Sequence, residues 1–200
     1  MTIKRGEEWG VTGEIPDGVR GVRTDHEAAE LLGRGRPVRL CGGDMLRTLG
    51  GASSSGPGAS AVRVPIDLLR VEYDGHEMYA LSHVVLREPK RRGGAFGGEL
   101  VVVMNAQFMG RLDLAPRGHP NDGRVEVLTI AESMGVRQRL AAHRRARTGT
   151  HVPHPDISTR SVSGFEEAAR GRVLIVDGRR LGRVSSLAVT VEPDRGDVWF

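Results

Sequence analysis

The sequence lacks paired cysteines and long apolar runs, and only 4% of its residues are aromatic. The single cysteine, Cys41, excludes an internal disulfide bond. No apolar stretch approaches the ~20 residues that a bilayer-spanning helix needs, so we expect any membrane contact to be peripheral. Residues 1–10 carry charges where a secretion signal needs an apolar core. These absences together predict a cytoplasmic protein without a transmembrane segment.

Positive charge is plentiful, and nearly all of it is arginine, with a formal net charge of +4. Residues 136–147 are typical of an amphipathic helix with a weak apolar face, and Ser133 is a candidate cap for it. The basic face of this helix suits plain exposure to solvent or contact with an anionic lipid surface. Nucleic acid is a less favoured partner because no aromatic residues are interleaved with the charges. The clustered arginines are Arg137, Arg139, Arg144, Arg145 and Arg147.

The most strand-like stretch is the Val-rich run Leu100 to Met104, which predicts a strand buried on both faces. A loop with two prolines follows it, and Asp122-Gly123 then forms a turn into residues 124–130, which alternate as a half-buried strand does. Asp-Gly pairs at residues 74–75 and 177–178 predict two further hairpins. The Ser, Gly and Pro content of residues 52–61 indicates a linker or loop, which divides the chain into residues 1–51 and 62–200.

A glycine turn stands between a strand and a helix in the N-terminal part. Thr24 or Asp25 can cap a helix that runs to about Leu32, and a short strand then leads into Gly42-Gly43-Asp44. Such a turn lets backbone N–H groups approach a phosphate at a helix N-terminus. It can equally be a structural turn in which Asp44 caps the next helix, and the residues alone leave both interpretations open.

These motifs resemble the diacylglycerol kinase and bacterial lipid kinase family, which is related in fold to NAD kinases. The resemblance covers roughly residues 60–200 and depends on four motifs. These are N-x-x-x-x-G from Asn105, the P-x-D-G loop at residues 120–123, a G-x-H-x-x-x-P-like segment at residues 149–155, and Val176-Asp177-Gly178. The resemblance to this family implies an α+β fold. Most of the chain would form an antiparallel β-sandwich, preceded by a reduced α/β segment.

The resemblance also implies candidate site residues. Gly42, Gly43 and Asp44 match the start of the family's nucleotide motif G-G-D-G-T, but Met45-Leu46 replaces its Gly-Thr, so ATP binding is expected to be weak. Asp44 and Asp177 are the candidate catalytic residues. Arg179 stands where the family commonly has a glutamate that acts as general base, and a guanidinium cannot accept a proton.

The functional expectation follows from these departures. We expect a lipid kinase-like protein that has lost, or nearly lost, phosphoryl transfer and that binds a lipid or a partner. The partner could be a second copy of the chain or another protein. The alternative is an active ATP- and Mg²⁺-dependent lipid kinase that phosphorylates a lipid hydroxyl.

The P-x-D-G loop is a candidate metal-binding site. By resemblance, Mg²⁺ would bind the Asp122 carboxylate and the backbone carbonyls of His119 and Arg124, which are suitable oxygen ligands. Asp122 could instead cap its own turn. The nearby His151 and His154 are expected to make hydrogen bonds in a rigid loop, because the prolines around them break the spacing that a transition-metal site needs.

Overall fold

The computed structural model describes residues 9–51, 56–90 and 94–200. Residues 52–55 of the predicted linker lie outside the described residues, as do residues 1–8. The helices are α1 (Asp25–Gly33), α2 (Asp44–Thr48) and α3 (Val136–Arg145). The strands are β1 (Val11–Glu14), β2 (Arg20–Val22), β3 (Val38–Leu40), β4 (Ser60–Tyr73), β5 (His76–Ala80), β6 (His83–Arg87), β7 (Leu100–Met104), β8 (Phe108–Met109), β9 (Leu112–Asp113), β10 (Val125–Ile130), β11 (Ile157–Val162), β12 (Gly164–Val176) and β13 (Arg179–Trp199).

One large sheet dominates the molecule, with the strand order β1-β4-β13-β12-β6-β7-β10-β11. Its pairings are antiparallel except where β3 runs parallel to β2 and to the end of β13. The long strands β12 and β13 are joined by the predicted Asp177-Gly178 turn, and register shifts interrupt their pairing. The predicted α+β class with a mainly antiparallel, sandwich-like sheet is therefore confirmed.

Strand β7 is buried on both faces, as the Val-rich run predicts. Val101 and Val103 lie in the main core with residues of β4, β10, β12 and β13, whereas Val102 and Met104 pack on the opposite face, against the side of α3. The second face is covered because Ala142 and Ala146 bring the helix side close to the sheet. The sheet thus has two apolar layers, and α3 closes one of them.

The N-terminal segment packs on the outer end of β4 and β13. Helix α1 begins as predicted, because the Thr24 hydroxyl accepts a hydrogen bond from the backbone N–H of Glu27. Buried residues of α1, β3 and α2 form a second core with Val64 and Ile66 of β4. This packing places the turn between β3 and α2 beside the central strands.

Helix α3 differs from its prediction at two points. Its N-cap is Gly135 and not Ser133, whose hydroxyl instead donates to Asp156. Arg139 was expected on the basic face but is only 4% exposed. Its guanidinium donates to the carbonyls of Met134, Ala131 and Gly98, which satisfies the buried charge locally. No helix in the described part of the chain is long and apolar enough to cross a membrane.

Candidate functional site

A cleft of about 560 Å³ lies between the N-terminal segment and the central strands. One end is polar and contains the side chains of Asp25, Asp44, His83 and Asp177. The other end is formed by apolar residues of β6, β7, β8 and β12, namely Val85, Leu100, Val102, Met109 and Ile175. A cleft of this volume falls within the ~300–1,000 Å³ range of ligand sites, and its two ends suit a ligand with one polar and one apolar part.

The Asp25 carboxylate lies at the glycine turn for which the sequence left a phosphate contact and a structural turn both open. Its Oδ2 accepts from the backbone N–H of Asp44 at 2.7 Å, and its Oδ1 lies 3.4 Å from that of Met45. These are the first N–H groups of α2. A phosphate bound at this turn would need the same N–H groups. The protein's own carboxylate therefore fills the position of the expected anion.

The two glycines of the turn are required by this packing. A Cβ atom on Gly43 would lie 2.1 Å from Asp25 Oδ1, and the residue has φ +97°, which side chains rarely adopt. A Cβ atom on Gly42 would lie 2.8 Å from the Arg23 carbonyl oxygen. Close backbone and carboxylate contacts thus account for Gly42-Gly43 without a nucleotide.

Asp25 has unusual electrostatics for a carboxyl group. Burial and, to a smaller extent, the negative charge of Asp177 together raise the pKa of Asp25 to about 7, while the hydrogen bond from the Asp44 N–H opposes the shift. Asp25 therefore binds a proton more readily than an ordinary aspartate does. Sequence reasoning considered Asp25 only as a helix cap, because the N–H groups that it binds lie 19 and 20 residues further along the chain.

Asp44 connects the N-terminal segment to the loop after β7. Its Oδ1 accepts from the backbone N–H of Gly110 at 2.8 Å, and its Oδ2 lies 3.7 Å from His83 Nδ1. The Thr48 hydroxyl donates to the Asp44 carbonyl and also accepts from the N–H of Gln107. Asp44 thus lies in the cleft, with one carboxylate oxygen already accepting a hydrogen bond from the backbone.

Asp177 also lines the cleft, and its carboxylate accepts three hydrogen bonds from backbone N–H groups. Oδ2 accepts from the backbone N–H of Leu81, and Oδ1 accepts from those of Ser82 and His83, at 2.7–2.9 Å. The Asp177 N–H donates in return to the His83 carbonyl. The residue fixes the break between β5 and β6.

Arg179 follows this turn and is exposed, with Nη1 2.9 Å from His26 Nε2 on α1. The structure thus places a cation rather than a base beside the cleft. Arg23 and Arg87 line the cleft as well. The cleft therefore combines carboxylates with basic residues, and Arg87 lies at its apolar end, because it pairs with Leu100.

The P-x-D-G loop forms a second polar cluster away from the cleft. Asp122 Oδ1 accepts from the Arg124 N–H at 3.0 Å, so Asp122 does cap its own turn. The buried Asp67 accepts from the N–H groups of Gly123 and Asp194. His119 Nδ1 accepts from the Asn121 N–H, and its ring lies against Trp9.

The electrostatics of this cluster are compatible with a cation. Burial raises the pKa of Asp67 to about 6, with a further contribution from the charge of Asp122, and burial also raises the pKa of Asp122. A dication would relieve the cost of the buried Asp67 carboxylate and of the half-buried Asp122 carboxylate, whose charges repel each other. No group of three or more His, Cys, Asp or Glu side chains within the described ranges has a metal-binding arrangement. A site at Asp122 would therefore need backbone carbonyls, as the resemblance implies for His119 and Arg124. Asp67 is a candidate member that sequence reasoning missed.

Magnesium binding at this loop is our first prediction. If Mg²⁺ binds, it raises the melting temperature of the wild type but not that of Asp122→Asn, because an amide can still cap the turn but is a poorer ligand for a dication. Asp74→Asn, in another Asp-Gly turn, is the control and should respond like the wild type. Identical melting curves with EDTA and with Mg²⁺ in all three proteins would mean that the loop is only a turn.

Comparison with known proteins assigns the family. Residues 66–198 match the profile of the YegS C-terminal NAD kinase beta sandwich-like domain, and the chain therefore belongs to this family. Comparison with curated protein sequences finds no match.

Solved structures share the fold. Two crystal structures of Bacillus anthracis str. Sterne proteins described as diacylglycerol kinases have TM-scores of 0.57 and 0.53 with this chain, at 11% and 12% sequence identity. Each comparison covers 82% of this chain and 68% or 66% of the other protein. The predicted kinship with lipid kinase-like proteins is thereby confirmed at the level of family and fold.

Proposed function

We propose that the protein is a lipid-binding member of this family in which phosphoryl transfer is lost or nearly lost. The observation that carries the proposal is the position of Asp25, whose carboxylate bonds the first N–H groups of α2. A phosphate at this turn would have to displace a buried carboxylate and would be repelled by its charge. Arg179 in place of a carboxylate supports the same conclusion, since it cannot remove a proton from a hydroxyl.

The lipid part of the proposal is supported by the shape and polarity of the cleft. Its apolar end can contact a hydrocarbon body, and its polar end offers carboxylate and imidazole groups to a hydroxyl. The family assignment and the structural neighbours favour a lipid over another amphiphilic ligand. We further propose that an anionic membrane surface is the peripheral partner, because exposed arginines cluster on α3.

Weak nucleotide binding is our second prediction. We expect a calorimetric titration of the wild type with Mg-ATP to give a millimolar or weaker dissociation constant, unchanged by Asp44→Ala. The Asp25→Asn variant lacks the charge that repels a phosphate, and its side chain still fits the turn. We therefore expect it to bind Mg-ATP slightly more tightly than the wild type does. A micromolar constant in the wild type that Asp44→Ala abolishes would contradict the prediction.

An active kinase is the second candidate, and one observation favours it. A carboxyl group with a pKa of about 7 can act as a general base at neutral pH, and Asp25 lies in the cleft where a ligand hydroxyl would bind. Incubation of the protein with radiolabelled ATP, Mg²⁺ and mixed lipid vesicles separates the two candidates. Labelled lipid that disappears in Asp25→Asn would support the active kinase; no labelled lipid supports the binding module.

A further inference from the structure

A second cavity of about 210 Å³ lies between α3 and the sheet. It is lined mainly by apolar residues of β7, β9, β10 and α3, with Phe96 on one side. Three residues, Leu100, Val102 and Met109, line both this cavity and the cleft described above. The cavity is therefore an apolar space that adjoins the apolar end of the cleft.

His151 is a buried polar residue of this cavity, as is Arg139, whose guanidinium already donates to backbone carbonyls. It is 3% exposed, and neither ring nitrogen makes a well-aligned hydrogen bond. The Leu114 backbone lies close to the His151 ring, and His154 Nδ1 accepts from the Asp156 N–H. An unpaired imidazole nitrogen in an apolar cavity is costly, because burial removes its water and supplies no partner.

The tautomer of His151 indicates which partner is missing. Burial lowers the pKa of His151, while the nearby Asp113 charge and Leu114 backbone oppose this shift. The neutral ring has one N–H and one lone pair. The Leu114 carbonyl and the Asp113 carboxylate can only accept, so we assign the hydrogen to the ring nitrogen on their side, and the other nitrogen offers a lone pair. The missing partner is therefore a hydrogen-bond donor.

We propose that this cavity binds one apolar chain of a lipid that carries a hydroxyl or amide donor, and that His151 accepts the hydrogen bond. The inference rests on the proposed lipid-binding function and names the ligand chemistry. The cavity is smaller than the ~300–1,000 Å³ typical of whole-ligand sites, so it holds a single chain rather than a complete lipid. Its edge is formed by the exposed Phe96 and His143, from which a chain can enter.

The test uses two isomeric probes, n-octanol and heptyl methyl ether, in which only the alcohol has a donor. Binding to the full chain is followed by NMR through the methyl groups of Leu112 and Ile130, which line this cavity and not the cleft. We expect saturable binding of both, with octanol about two- to tenfold tighter, as one net hydrogen bond implies. His151→Leu should remove this preference while retaining binding of the ether.

A matched pair of helix variants locates the probe. Ala142 is buried against the cavity, whereas its neighbour Ala141 is exposed. Ala142→Phe should therefore weaken octanol binding at least tenfold, and Ala141→Phe should leave it unchanged. Equal binding by both variants would overturn the proposal, as would octanol shifts that never saturate. If Ala142→Phe does not fold, an octanol preference unchanged in His151→Leu overturns the proposal by itself.

Vesicle sedimentation in parallel separates this inference from the proposed function. Octanol binding without vesicle binding would contradict the membrane-surface proposal and leave the cavity assignment standing. Vesicle binding without saturable octanol binding would contradict the cavity assignment alone.

Discussion

Asp177→Ala is expected to lower the free energy of unfolding by about 4 kcal/mol. The substitution removes three hydrogen bonds to a charged acceptor, each contributing ~1.5–3 kcal/mol, and the sum is reduced because the partner N–H groups can reach water in part. For a chain of this size the melting temperature should fall by roughly 8–16 °C. Calorimetric and chemical denaturation both measure the effect.

Asp74→Ala is a close control for this prediction. Asp74 and Asp177 both precede a glycine, have φ of 45° and 44°, and accept from backbone N–H groups. Asp74 bonds Ser185 and Ser186 but is fully exposed, so its loss should shift the melting temperature much less. The strain of an alanine at positive φ is common to both variants, and their difference isolates the buried contacts of Asp177.

Asp177→Asn gives the intermediate case. Asparagine tolerates the left-handed conformation and keeps one acceptor oxygen, so the loss should be smaller than with alanine. If Asp177→Ala melts within a few degrees of Asp74→Ala, the carboxylate does not hold the break between β5 and β6 in place. Its role would then be confined to the cleft.

The elements that the sequence predicted well have local signals. The Val-rich run defines β7, the Asp-Gly pairs at residues 74–75 and 177–178 define two turns, and Thr24 caps α1. In each case the determining atoms lie within a few residues of one another. Turn chemistry, side-chain alternation and capping act over such distances, so a sequence can show them.

The candidate site depends on contacts that no local pattern contains. The partners of Asp177 lie 94–96 residues away, and the chain between them has no period that brings them together. The environment of His151 depends on how α3 packs over the sheet. Arg139 was placed on the basic face because its residue type is usually exposed, whereas three backbone carbonyls that only the fold assembles make its burial favourable.

The basic surface of α3 is expected to determine binding to anionic vesicles. Because Arg139 is buried, this surface consists of Arg137, Arg144, Arg145 and Arg147. Helix α3 itself has few exposed apolar side chains, but the fold places the exposed Phe96 near it. Phe96, which is 47% exposed, lies on the cavity that α3 covers, and Val136 and Leu140 are 53% and 43% exposed. Arginines beside exposed apolar side chains suit a headgroup surface better than charge alone.

Replacing these four arginines with glutamine should weaken binding to vesicles that contain anionic lipid by roughly a hundred- to a thousandfold. Each basic residue near such a surface contributes ~1 kcal/mol, and every ~1.4 kcal/mol is a factor of ten. Glutamine replacement of Arg36, Arg170, Arg180 and Arg183, which are exposed elsewhere, is the control. Both variants lower the formal net charge from +4 to zero, so a difference between them reports position rather than total charge.

The second part of this experiment measures vesicle binding at increasing salt concentration. The screening length is ~10 Å at 0.1 M and ~3 Å at 1 M ionic strength, so binding through exposed arginines should disappear at molar salt. Arg139→Gln should behave differently, because it breaks contacts to Met134 and Ala131 and lowers stability rather than only vesicle affinity. Vesicle binding that persists at molar salt, or that the control variant loses equally, would show that the α3 arginines do not form the contact.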